Sequence, residues 1–153
     1  MPAAHTTVEV DAAPAVLMGI ITDFGRYPQF LADMEEAVVL RGPDEGPQGT
    51  EWTVRFAVRV IRRLEYTLRL WRPNDAELRW SLVEGVFKAN DGGWTLTPLD
   101  GGARTHARYD LEIELGMFVP GSVMKTLVER NLPATLAAFK ARAEGIGAAT
   151  KGE

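Results

Sequence analysis

Cysteine is absent from the chain, which excludes disulfides, thiolate catalysis and cysteine-built zinc sites. Histidine is scarce, with His5 and His106 the only two. That is too few for a histidine-rich metal centre, so no metal and no cofactor are expected. No stretch approaches the roughly 20 apolar residues a membrane span needs. The longest early apolar run, residues 12–21, is broken by Pro14 and Gly19. It lacks a cationic leader and does not read as a secretory signal, so the expected compartment is the cytoplasm. A net charge of −4 makes nucleic acid an unlikely partner. No Ser-His-Asp arrangement, glycine-rich phosphate loop or metal-ligand cluster stands out in the chain.

What is present is one domain's worth of ordinary globular sequence. The 153 residues are 46% hydrophobic and 25% charged, enough to bury a core without staples. A single domain over 1–153, with its core at about 6–143, is expected. Charge is unevenly spread. Residues 1–51 hold nine acids and two arginines, whereas residues 55–79 hold seven arginines and three acids. Arg55, Arg59 and Arg69 alternate with apolar residues, which puts them on a solvated strand face. A basic strip there could also meet phospholipid headgroups or an acidic partner.

Hydrophobic periodicity gives the elements. Residues 6–11 alternate as a strand. Pro14 suits the first turn of a helix whose apolar face is Val16, Leu17, Ile20 and Ile21, with Gly25 the expected left-handed residue that ends it. A second short helix is expected from Pro28. Strand-like stretches follow: residues 36–41, a Gly/Pro-rich turn over 42–49, then 50–60 with Trp52, Val54, Phe56, Val58 and Val60 on one face. Residues 62–72 place Leu64, Tyr66, Leu68 and Leu70 together after a tight join at 61–63. Leu78, Trp80 and Leu82 mark the next strand. Trp94 and Leu96 mark another, interrupted at residues 90–93, where a bulge or bend is expected. Residues 100–102 read as a hairpin turn. In the last strand Thr105, Ala107, Tyr109, Leu111 and Ile113 alternate with His106, Arg108, Asp110 and Glu112. From Pro120 to about Glu144 the spacing is helical, with Val123, Met124, Leu127, Val128, Leu132, Leu136 and Phe139 apolar. Pro133 should bend this helix by removing a backbone bond, and residues 145–153 read as a frayed tail.

The fold class is therefore α+β: a curved antiparallel β-sheet of about seven strands around a long C-terminal helix, with two short helices near the N-terminus. A twisted sheet curls, and a straight helix across its concave face leaves a gap. That gap would be walled by alternate strand residues and suits an apolar ligand. The candidate ligand-binding residues are Trp52, Val54, Phe56, Tyr66, Leu68, Trp80, Leu82 and Trp94 from strands and Met124, Leu127 and Asn131 from the helix. Core packing and a ligand-lining wall are both open readings for the aromatic set. Asn131 either satisfies backbone freed by Pro133 or anchors a polar ligand atom. Phe118 lies in the nearly all-apolar connection 116–121. It either tucks under the helix or forms a gate that touches a membrane or a carrier protein during ligand exchange. His106 is expected on the surface.

Three segments carry a resemblance. Residues 8–14 (Val-Glu-Val-Asp-Ala-Ala-Pro), 22–31 (Thr-Asp-Phe-Gly-Arg-Tyr-Pro-Gln-Phe-Leu) and 94–102 (Trp-Thr-Leu-Thr-Pro-Leu-Asp-Gly-Gly) resemble the START-like (SRPBCC) superfamily. The similarity is to its polyketide cyclase/dehydrase and coenzyme Q-binding protein branch. The resemblance spans about residues 6–143 and implies a helix-grip fold that holds a hydrophobic small molecule such as a lipid, quinone or polyketide. It also implies two alternatives. One is an aromatase/cyclase or dehydratase, in which Tyr66 would be the donor to test and an inward arginine would position substrate. The other is a protein-interaction module like the ribosome-association toxin. Whether the chain catalyses or only binds stays open at this level.

Overall fold

The computed structural model describes residues 3–116 and 119–151, with side chains at 4–116 and 119–145. Seven strands form one antiparallel sheet: β1 (Ala3–Val10), β2 (Met34–Gly46), β3 (Gly49–Val60), β4 (Arg62–Asn74), β5 (Glu77–Gly85), β6 (Phe87–Leu99) and β7 (Arg104–Leu115). Their order is β1-β7-β6-β5-β4-β3-β2. Six strands thus follow one another by short turns, while β1 and β2 sit on opposite edges. The chain between those two edges crosses the sheet as helix α1 (Pro14–Ile21) and a 3₁₀ turn, Phe24–Gln29. The long C-terminal helix runs through α2 (Gly121–Thr126), one π-type turn (Leu127–Asn131) and α3 (Leu132–Lys151).

The alternation read from the sequence sets the register. Trp52 pairs with Leu70, Val54 with Leu68, Phe56 with Tyr66 and Val58 with Leu64, so every pair shares the inward face. Across the sheet, Trp94 pairs with Tyr109 and Leu96 with Ala107. Leu17, Met18, Ile20 and Ile21 of α1 are buried against the same core. The far end of α3 is tied down by polar contacts. Glu144 accepts from the Asp11 amide at 2.8 Å and from Lys140 Nζ at 2.6 Å, and Lys140 donates to the Glu9 carbonyl at 2.9 Å. These two bonds to Glu144 hold its carboxyl below the usual carboxylate range.

Several local expectations change. Gly25 does not adopt a left-handed conformation; α1 ends at Thr22, whose amide reaches the Met18 and Ile20 carbonyls. The second short helix begins at Phe24 rather than at Pro28 and contains that proline. The strand after it runs on to Gly46 through three register shifts, so only Pro47 and Gln48 turn. Ile61 alone makes the β3–β4 turn, at φ 69°. Strand β6 is not broken at 90–93: those residues stay paired to β7, and the irregularity falls at Phe87/Ala89. Pro133 is accommodated by the π turn just before it, where the Leu132 amide reaches back to the Leu127 carbonyl. A π turn is a recognised way for a helix to absorb a local misfit. The helix continues to Lys151, beyond the expected frayed end.

Candidate functional site

Between the sheet and the long helix lies a cavity of about 230 Å³, just below the ~300–1,000 Å³ of ordinary ligand pockets. Strands β3 and β4 contribute Phe56, Val58, Val60, Tyr66, Leu68 and Leu70. Strands β5 to β7 add Leu78, Trp80, Phe87, Asn90, Trp94, Tyr109, Leu111 and Ile113. The 3₁₀ turn and the segment after it supply Tyr27, Phe30, Leu31, Asp33 and Met34, and the helix supplies Leu127, Asn131, Leu132, Thr135 and Phe139.

The aromatic rings form one continuous wall. Phe87 contacts Tyr66 at 5.2 Å between centroids, Tyr66 contacts Phe56 at 5.6 Å, and Phe56 stacks on Tyr27 at 5.9 Å. From Tyr27 the chain of rings continues to Phe139 at 5.4 Å, Trp94 at 5.1 Å, Tyr109 at 5.0 Å and Trp80 at 5.4 Å. Most of these contacts are edge-to-face or tilted, the geometry aromatic quadrupoles favour at about 0.5–1.5 kcal/mol each.

Polar groups on this wall are few. Trp80 Nε1 donates to Asn90 Oδ1 at 3.1 Å, and Asn90 is only 5% exposed. The Tyr27 hydroxyl donates to the Ile21 carbonyl. Burial pushes the Tyr27 phenol well above its ordinary pKa, helped by Tyr109, Tyr66 and Asp23 nearby. Burial also raises the Tyr66 and Tyr109 phenols, with Tyr66 adding to the effect on Tyr109. All three tyrosines are therefore neutral donors at physiological pH. Asn131 Nδ2 donates to Asp33 Oδ2 at 2.7 Å, a bond that joins the helix to the loop before β2 at the rim of the cavity.

Of the sequence-predicted residues, Phe56, Tyr66, Leu68, Trp80, Trp94, Leu127 and Asn131 lie on the cavity wall. Trp52 and Val54 are buried on the inward face but away from the cavity. Phe24 of the 3₁₀ turn packs on Trp52 at 5.3 Å and fills the space beside the first half of β3. Leu82 and Met124 are half-buried against the core without reaching the wall. Beyond the Trp80–Gly92 pair, β5 is paired to β4 alone and β6 to β7 alone, so Leu82 has no paired neighbour on β6. Phe118 lies outside the described residues, and with it the centre of the expected gate.

Asn90, Tyr109, Tyr27 and Phe139 were not among the sequence candidates. Asn90 carries a readable signal, since Asn90, Gly92 and Trp94 alternate. The glycine between them is required: a Cβ on Gly92 would come within 2.7 Å of the Trp80 ring and 2.3 Å of the Asp110 carbonyl.

The outward face of the sheet is different in character. Arg55 pairs with Glu36, Arg59 with Glu35, Arg69 with Glu51, and Arg63 with Glu35, Glu36 and Glu65. The arginines lower the carboxyls of Glu35 and Glu36 chiefly by hydrogen bonding. The strip's positive charge is thus largely met within the chain. His106 stands on β7 opposite Glu9 and Thr97, partly exposed and away from the cavity. No group of three or more His, Asp or Glu poised for a metal occurs among the described residues. None of the described helices is long and apolar enough to cross a membrane.

A family model described as polyketide cyclase/dehydrase and lipid transport matches residues 1–144. No curated protein matches the chain. Among solved structures, a START superfamily protein from Mycobacterium smegmatis superposes with a TM-score of 0.79 at 24% identity, covering 94% of this chain and 98% of that one. The Zhui aromatase/cyclase from Streptomyces sp. R1128 gives 0.78 at 22% identity, covering 94% and 93%. A STAR-related lipid transfer protein from Xanthomonas axonopodis gives 0.72 at 18% identity, covering 92% and 85%. At these identities the likeness establishes a shared START-like helix-grip fold.

Proposed function

We propose, from the premise that this chain belongs to the polyketide cyclase/dehydrase and lipid transport family, that it binds and carries a hydrophobic small molecule inside its cavity. The ligand classes are lipid, quinone (coenzyme Q-like) or polyketide-like compounds. The observation that carries this reading is the apolar, aromatic-walled cavity of about 230 Å³ between sheet and helix. The chain would work as a single cytoplasmic domain, with transient membrane or carrier-protein contact during ligand exchange.

The test is mass spectrometry of an organic extract of the native protein, paired with thermal shifts against quinones and lipids. A co-purifying apolar compound, or a ligand that raises the melting temperature in proportion to its concentration, supports the carrier. Protein that is consistently empty and shifted by none of them overturns it.

One observation favours aromatase/cyclase chemistry as a second reading: Tyr66 lines the cavity, and its phenol, kept protonated by burial, has no hydrogen bond to the described residues. A positioned acid or base adds about 10²–10⁴-fold. Against it, no arginine lines the cavity among the described residues. Product profiles on a carrier-tethered polyketide, native chain against Tyr66→Phe, decide this. Unchanged products end the catalytic reading. The interaction-module alternative loses its electrostatic support, because the arginine strip is already paired.

A further inference from the structure

The polar atoms on the cavity wall are not distributed at random. Asn90 is nine-tenths buried, and its Oδ1 is taken by the indole N–H of Trp80 at 3.1 Å. An indole nitrogen only donates, so the amide must present its oxygen there. Its Nδ2 is left to donate, with no partner among the described residues. Tyr66 and Tyr109 line the same cavity, and their hydroxyls bond to no described residue. Trp80 links two of these, since it holds Asn90 and its ring lies 5.4 Å from that of Tyr109, and Tyr66 is close enough to Tyr109 to act on it electrostatically. These are donors without a matching set of acceptors. No lysine, arginine or histidine lines the cavity among the described residues, and its one carboxylate is Asp33.

We infer that Tyr66, Tyr109 and Asn90 form a hydrogen-bonding subsite that selects an uncharged apolar ligand bearing a carbonyl-type oxygen and rejects carboxylate and phosphate anions. Asn90 is buried and Tyr66 and Tyr109 are half-buried on an otherwise apolar wall, and a ligand acceptor oxygen would give these donors the partners they lack. An anion would lose its hydration with no cation to replace it, next to a wall that already holds Asp33. Burial keeps both phenols protonated, so they remain donors across the physiological range. This inference rests on the cavity being the ligand site.

The experiment uses three probes of one shape: 2-acetylnaphthalene, 2-ethylnaphthalene and 2-naphthoate. Dissociation constants come from quenching of tryptophan fluorescence, in the full chain and in Tyr66→Phe, Tyr109→Phe and the double variant. The ketone is expected to bind best and the carboxylate worst in the native chain. The ketone's advantage over the hydrocarbon should shrink about tenfold in the double variant. A ketone advantage that survives both substitutions overturns the subsite, as does 2-naphthoate binding as tightly as the ketone. The latter comparison needs no variant and stands even if the double variant fails to fold. If none of the three probes binds, the cavity reading itself falls and takes the subsite with it. If the hydrocarbon and ketone bind alike, only the subsite falls.

Discussion

At the residue scale, the Trp80–Asn90 pair is a buried polar contact on the cavity wall. Asn90→Ala removes the one acceptor that the buried Trp80 indole N–H finds among the described residues, and an orphaned buried donor costs about 1–3 kcal/mol. A loss of that size is expected in denaturant unfolding. No loss would show that another acceptor reaches Trp80. The tyrosines make a second prediction. The chain has three, and all three line the cavity with raised pKa values. The folded protein therefore keeps protons that the unfolded chain releases near pH 10. Stability from this source is fully present below about pH 10 and falls as pH rises above it. Phenolate absorbance should appear together with alkaline unfolding, not before it. Early ionisation of two or more tyrosines with the fold intact would contradict the burial described.

At the element scale, two features sit close to conflict with backbone physics. Ile61 makes the β3–β4 turn at φ 69° although it is β-branched, and it is 64% exposed. Left-handed backbone costs an ordinary residue about 1–2 kcal/mol, and little packing is lost by trimming this side chain. Ile61→Gly should therefore stabilise by about 1 kcal/mol after the added chain entropy is set against it. A lower melting temperature would mean the side chain makes contacts that offset its strain. The other feature is the π turn before Pro133, which sets Asn131 toward Asp33. That bond bridges the helix and the loop before β2, so it should slow ligand exchange. Asp33→Ala is expected to speed both uptake and release of a fluorescent apolar probe in stopped flow, with stability changed by less than about 1.5 kcal/mol. Unchanged rates would put the opening elsewhere along the rim.

At the scale of the whole molecule, a sheet that curls around one helix leaves space that packing alone does not close. Ligand binding should then act as a stability term for the entire domain. At a ligand concentration a hundred times its dissociation constant, mass action adds about 2.7 kcal/mol. For a chain of this size that corresponds to a rise of roughly 5–11 °C in melting temperature. A ligand bound on the outer face, outside the cooperative core, would also raise it. The cavity is therefore tested by Leu68→Trp, which fills the wall: that variant should keep or gain stability and lose the ligand-dependent shift. A shift that persists in it would move the site away from the cavity.

Alternation in the sequence alone assigned the inward face of β3, β4 and β7, because a period of two admits only one inward set once burial is required. The sequence also determined the long helix, the exclusion of thiol chemistry and the START-like likeness. Which inward residues border empty space is set by tertiary contacts alone. Trp52 and Phe56 share a strand face and a pattern, but Phe24 arrives from a distant crossover and packs on both, filling the gap beside one and leaving the other on the cavity wall. Asn90 looked like part of a break in its strand; its place on the wall depends on an irregularity at Phe87/Ala89 and on a neighbouring strand that carries Trp80. The arginine strip looked free until β2 brought Glu35 and Glu36 beside it. Each of these depends on contacts between residues far apart in the chain, and no local periodicity records them.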